Sequence, residues 1–227
     1  MPKKYSLGYR SLKDLVYDYL RGQMQKGELK TGDPINMDQT AKKLGISKTP
    51  LREALIKLET ESFIKIIPWK GVLVNTITIQ DFQDCYQVLG ALESAALTAA
   101  APRMKIQDIT RMETLNQEMR VSLEEDDFDN YYLKNLEFHN VYLNLCKNHL
   151  LVEAVDILKK RLYEFSRPKE FIKEWEDISL TEHKKLVDHL NKGEIGEAAD
   201  YLRHVIWSFE VQKKYIIRYY RFDSVTG

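Results

Sequence analysis

Between Met37 and Glu61 two short helical patterns stand almost end to end, an arrangement few folds accommodate. The first, Met37 to Leu44, is amphipathic and stops at Gly45. The second begins at once, with Ser47 or Thr49 able to cap it and Pro50 tolerated in its first turn. Two helices joined by a tight Gly-containing turn form a helix-turn-helix, whose second helix lays its N-terminal residues along the major groove of DNA. Leu51, Ala54, Leu55 and Leu58 make the stripe that packs inward, which leaves Ser47, Lys48, Thr49 and Arg52 on the polar face. Arg52 can fork onto guanine O6 and N7, whereas Lys48, Ser47 and Thr49 suit a phosphate as well as a base edge. Taken alone, the segment also reads as an ordinary solvated helix with a Pro start.

The neighbouring stretch of chain decides between the two. Phe63 to Ile67 reads as a strand, Pro68-Trp69-Lys70-Gly71 as a turn and Val72 to Val74 as the returning strand, which together make a wing. Lys70 and Gly71 at its tip let the backbone approach a phosphate or the minor groove. Ser11 to Lys26 carries Leu12, Leu15, Val16, Tyr19 and Leu20 at helical spacing, a first helix that packs behind the helix-turn-helix. The formal charge of zero conceals an asymmetry: residues 1–75 hold 14 Lys and Arg against 8 Asp and Glu, and the remainder holds 20 against 26. A basic module joined to an acidic one suits a DNA-binding head whose companion is repelled by DNA.

These residues resemble the winged-helix domain of the GntR family of bacterial transcription regulators. The match runs through Lys30-Thr31-Gly32-Asp33, Ala41 to Gly45, Ser47-Lys48-Thr49-Pro50-Leu51-Arg52-Glu53-Ala54-Leu55, Leu58-Glu59 and Pro68-Trp69-Lys70-Gly71. The resemblance implies DNA contacts by Ser47, Lys48, Thr49, Arg52, Lys70 and Gly71. Lys48 stands where the family has Arg, and a Lys lacks the flat two-pronged contact of a guanidinium.

From Ile79 onward the pattern is helical throughout, at about 79–101, 105–124, 127–147, 149–166, 169–191 and 194–222. The expected fold is therefore mainly α: a winged helix-turn-helix of three helices and a small β-hairpin over residues 1–75, then an all-α six-helix bundle over 76–227. Thr78 is placed to cap the first bundle helix. The aromatic tail, Tyr215, Tyr219, Tyr220 and Phe222, has the spacing of a packed face. Cys85 and Cys146 lie in helical patterns without metal spacing and read as buried free thiols. No apolar h-region stands at residues 1–10 and no run reaches membrane-spanning length, so a cytoplasmic protein is expected.

Within the bundle, Tyr132, Leu136, His139 and Leu143 share one face, with Asn135 a turn before His139. His183 shares a face with Leu186, Val187 and Leu190, and His204 lies beside Tyr201 and the Leu202, Val205, Ile206 stripe. Taken singly, each imidazole reads first as a hydrogen-bonded core group. The helical part resembles the FCD effector-binding domain of the FadR subfamily of GntR regulators, through Asn135 to His139, Lys147-Asn148, Glu182-His183 and Arg203-His204. The resemblance implies a divalent metal, zinc first and nickel or manganese otherwise, on Asn135, His139, His183 and His204, with a small carboxylate effector beside it. Asn135 stands where the family has Asp, and its amide oxygen is a weaker, uncharged ligand. Leu89 stands where the family often places an Arg four residues before the Glu, here Glu93.

The expected function is a sequence-specific transcription regulator, a repressor that binds a palindromic operator as a homodimer and is released by a small-molecule effector. A metal-dependent hydrolase at His139, His183 and His204 is the competing reading. It lacks a general base, since Glu137 is two residues from His139 and faces away, and the chain is not expected to be an enzyme. An adaptor using the winged domain without DNA is a third class, against which the basic first turn and wing argue.

Overall fold

The computed structural model describes residues 10–164 and 172–220. These divide into two compact units, one holding residues 10–77 with 159–164 and the other residues 78–158 with 172–220. The expected helix ends at 165–166 and 169–171, and Phe222 of the aromatic tail, lie outside the described residues.

In the first unit α1 (Leu12–Gln25) starts where the Ser11 hydroxyl accepts from the Asp14 N–H. It buries Val16, Tyr17, Leu20 and Met24, the positions that a helical repeat brings to one side. The Asn36 side chain caps α2 (Met37–Leu44) by accepting from Asp38 and Gln39, and Gly45, in the left-handed region, ends it. After Ile46 and Ser47, α3 (Lys48–Thr60) begins. Its buried side is Leu51, Ala54, Leu55 and Leu58, the stripe that the spacing predicts. It packs on α1 and is closed over by Phe63, Ile64, Val72 and Val74. Each large side chain so buried contributes about 1.5–3 kcal/mol, and the Tyr17 hydroxyl donates to the buried Glu61 carboxylate beneath them.

The wing has one strand more than the expected hairpin. Strands β1 (Pro34–Ile35), β2 (Ile64–Ile67) and β3 (Gly71–Val74) form an antiparallel sheet in the order β1-β3-β2. The added strand is recruited by the preceding loop. Gly32 N–H donates to Val74 at 3.0 Å and Val74 N–H to the Asp33 carbonyl at 2.9 Å, which sets Pro34 opposite Leu73.

The second unit is helical throughout its described residues. Its elements are α4 (Ile79–Ala100), a 3₁₀ turn at Ala101–Arg103, α5 (Ile106–Glu124), α6 (Phe128–Leu145), the part of α7 (His149–Glu164) up to Leu158, and α8 (Lys173–Asn191). Then come α9 (Ile195–Tyr201), a π-helical segment (Leu202–Ile206) and α10 (Phe209–Tyr220). Thr78 caps α4 in a box with Asp81, each side chain accepting from the other's N–H. α5 packs on α6 and α8, and α4 on α6, α9 and the π segment. Cys85 and Cys146 are buried thiols in no disulfide, and Tyr215 and Tyr219 pack against Trp175 at centroid distances of 5.8 and 5.7 Å. Among the described residues no helix is long and apolar enough to cross a membrane.

The last expected helix, 194–222, is broken. Trp207 N–H reaches back five residues to the Leu202 carbonyl at 2.9 Å, the wide spacing of a π turn, before α10 starts. Gly90 of α4 faces this turn: a Cβ there would stand 3.2 Å from the Arg203 carbonyl oxygen and 3.3 Å from the Trp207 Cβ, a tight contact that would push the turn back by a few tenths of an ångström. The extra residue in the turn keeps Leu202, Ile206 and Trp207 buried and leaves Arg203 and His204 facing out.

Candidate functional site

All six residues singled out for DNA contact are exposed. Ser47 is the N-cap of α3 and makes no side-chain capping bond, so its hydroxyl remains available to a ligand. Lys48, Thr49 and Arg52 follow on the first turn, above the buried Leu51 that fixes the rotation of the helix. Lys48 forms a 2.5 Å ion pair with Asp38 of α2, both partners more than half exposed. Such a pair contributes about 0–1 kcal/mol and yields readily to a phosphate. On the wing, Lys70 and Gly71 close the β2–β3 turn, with Gly71 at φ 101°, a conformation that excludes other residues without strain. A Cβ at Gly71 would meet nothing within 4 Å, so backbone conformation, and not space, demands the glycine.

Of the four residues expected to hold a metal, two lie side by side in the interior and two differ from them in burial. His139 and His183 are buried, with ring centroids 5.3 Å apart, and Phe138 stacks on His183 at 4.2 Å. His204 is exposed, turned out by the π segment, and Asn135 is only partly buried on α6. Among the described residues no group of three or more His, Cys, Asp and Glu is arranged to hold an ion. His139 is engaged by protein groups: its Nδ1 lies 2.7 Å from Glu93 Oε2 and 2.7 Å from the Tyr142 hydroxyl. The hydrolase reading needs all three histidines on one ion, and among the described residues they form no such group.

What the interior holds instead is a polar cluster centred on Glu93, fully buried on α4. Its Oε2 accepts from the Tyr142 hydroxyl and from Trp207 Nε1 at 3.0 Å. Sequence reasoning placed Glu93 only as a marker for the neighbouring Leu89. The overlooked signal was a carboxylate on a face otherwise made of Leu89, Ala96, Leu97 and Ala100.

A second carboxylate was also missed as a site. Glu182 of α8 is 7% exposed and accepts from Gln212 Nε2 at 3.0 and 3.1 Å. Burial pushes its pKa up to about 7, and the Gln212 bond only partly offsets this. Burial first, and then the charge of Glu182, raise the Tyr86 phenol and push the Tyr201 phenol up to about 12. Glu137 faces away from His139, as its spacing predicts, and pairs with Arg111 at 2.9 Å. His149 is exposed at the start of α7, and His189 lies 2.7 Å from Glu194.

Residues 12–74 match the gntR family of bacterial regulatory proteins, and residues 84–206 match the FCD domain. The chain is similar to the HTH-type transcriptional regulator YdhC of Bacillus subtilis, 24% identical over 178 residues that span 78% of this chain and 79% of that protein. It is also similar to the HTH-type transcriptional repressor RspR of Escherichia coli, 24% identical over 144 residues, 63% of each chain. The solved structure of E. coli McbR/YncC superposes with a TM-score of 0.66 at 19% identity, covering 95% of this chain and all of that one, and shares its fold.

Proposed function

The chain belongs to the GntR family of bacterial regulatory proteins with an FCD domain and is a DNA-binding transcription regulator; we propose that it is a repressor acting in the cytoplasm as a homodimer on a palindromic operator. The observation that carries this reading is the exposed row Ser47, Lys48, Thr49 and Arg52 on the first turn of α3, over a fully buried Leu51. One such head covers a few base pairs, and two heads on symmetric half-sites multiply both affinity and discrimination. The similarity to RspR, named a transcriptional repressor, supports the sign of regulation.

Selection of duplexes from a random pool with the full chain tests the proposal. Enrichment of a palindrome that sediments with two chains is expected, and one chain per duplex would refute the dimer. On the selected duplex Arg52→Ala should cost about 1–3 kcal/mol, and less on random DNA, because a forked guanine contact carries sequence information. An equal loss on both would reduce Arg52 to a phosphate contact.

The helical unit is then the sensor, its small-molecule effector coupled to DNA affinity by about 1–3 kcal/mol, or 5- to 150-fold. The carboxylate metabolite implied by the resemblance would approach the buried carboxyl groups of Glu93 and Glu182. A release screen therefore needs amines beside acids, and a screen in which no metabolite changes duplex affinity would remove the sensor role.

A further inference from the structure

At the tip of the wing, beside the exposed Lys70 and Gly71, stands Trp69. Ile67 to Lys70 form a turn closed by the Lys70 N–H on the Ile67 carbonyl at 3.0 Å. Pro68 takes the first central position and Trp69 the second, at φ 65°. A positive φ there is the ordinary province of Gly or Asn, and a bulky side chain adopts it only under strain. The Trp69 side chain is also as open to water as a side chain can be, at 105% relative exposure. The other two tryptophans are engaged within the helical unit: Trp175 donates to Gln212 and Trp207 to Glu93.

Strained backbone and a bare indole thus coincide at one residue, between the paired strand ends Ile67 and Gly71 and next to the exposed Lys70. Nothing in the wing's own packing requires an indole there, since the turn is closed by backbone groups. Strain held at a protruding tip points to a contact made outside the chain. We propose that Trp69 is a minor-groove wedge: the wing sets the indole between the deoxyribose walls, and Lys70 meets the flanking phosphate. A flat apolar ring fits a narrow groove whose floor shows only the adenine N3 and thymine O2 acceptors, and the guanine N2 amine obstructs it. Trp69 would then read A·T against G·C beside the bases read by α3. This inference rests on the head binding duplex DNA as proposed above.

The test uses the full chain and a duplex selected with it from a random pool, with binding followed by fluorescence anisotropy at fixed salt. Trp69→Gly relieves the left-handed strain, so its thermal unfolding should be no lower than that of the wild type, and lost affinity then reports lost contact. Trp69→Gly should bind about tenfold more weakly, and Trp69→Phe should recover part of the loss. Inosine in place of guanine removes the minor-groove amine and leaves the major-groove edge intact. In a derivative of the selected duplex rebuilt with G·C at the steps beside the α3 contacts, it should tighten binding by the wild type and leave Trp69→Gly unchanged. Equal affinity of Trp69→Gly and wild type, or an equal inosine effect on both, would overturn the wedge and leave the α3 reading standing. A wild-type chain that enriches no duplex at all would overturn both.

Discussion

Glu93→Ala should destabilise the helical unit by about 3–5 kcal/mol, the cost of a cavity plus buried donors left without their shared acceptor. Glu93 is 0% exposed, and its Oε2 is the shared acceptor for the Tyr142 hydroxyl and Trp207 Nε1, with His139 Nδ1 2.7 Å away. Truncation takes that acceptor from groups on α6 and at the end of the π segment and leaves a void of about four heavy atoms besides. Glu93→Gln keeps an acceptor oxygen in place and should cost clearly less. Urea denaturation of the full chain, followed by far-ultraviolet circular dichroism, gives both values. A loss under about 1 kcal/mol for Glu93→Ala would show that α4 is held to α6 and Trp207 by apolar packing alone.

The prediction also marks where the sequence stops being readable. The α3 stripe, the Thr78 cap and the starts of α4, α5 and α6 follow from rules that act within a turn or two, and they stand within a residue or two of the expected positions. Partners far apart in sequence were not readable that way. Trp207 and Glu93 are 114 residues apart, and neither neighbourhood names the other. The π segment is invisible for the same reason: the apolar spacing of Leu202, Val205 and Ile206 continues a regular helix, while the break answers to the close approach of Gly90. That one inserted residue carries His204 outward, so a histidine placed by helical phase alone was placed on the wrong side. Strand β1, two residues long, offers no period at all. At the wing the turn was legible from Pro68 and Gly71, but the left-handed backbone of Trp69 was not, because its residue type argues against it.

The second large effect is a pH dependence centred on Glu182. Its folded pKa of about 7 stands above its ordinary 4.5, so the folded chain holds this proton more tightly than the unfolded chain does. Below about pH 4.5 both states are protonated, and the group is neutral toward stability. Between about pH 4.5 and 7 the unfolded chain gives up this proton while the folded chain keeps it, so stability falls by about 1.36 kcal/mol per unit, roughly 3 kcal/mol in all, and is level once the folded carboxyl has ionised above 7. Glu182→Gln removes the ionisation and keeps an oxygen for Gln212 Nε2, whose bonds to Glu182 are 3.0 and 3.1 Å. The variant should therefore be about 2–3 kcal/mol more stable than wild type at pH 8 and indistinguishable from it at pH 4.5. Every other titrating group is common to the two proteins, so the difference between their stability curves isolates this carboxyl. A difference that does not change with pH would mean that Glu182 is hydrated well enough to ionise at its ordinary value. A chain that retains a destabilising carboxyl beside His183 gains nothing from it in stability, which makes Glu182 the first position at which to look for loss of effector response in a variant that folds better than wild type.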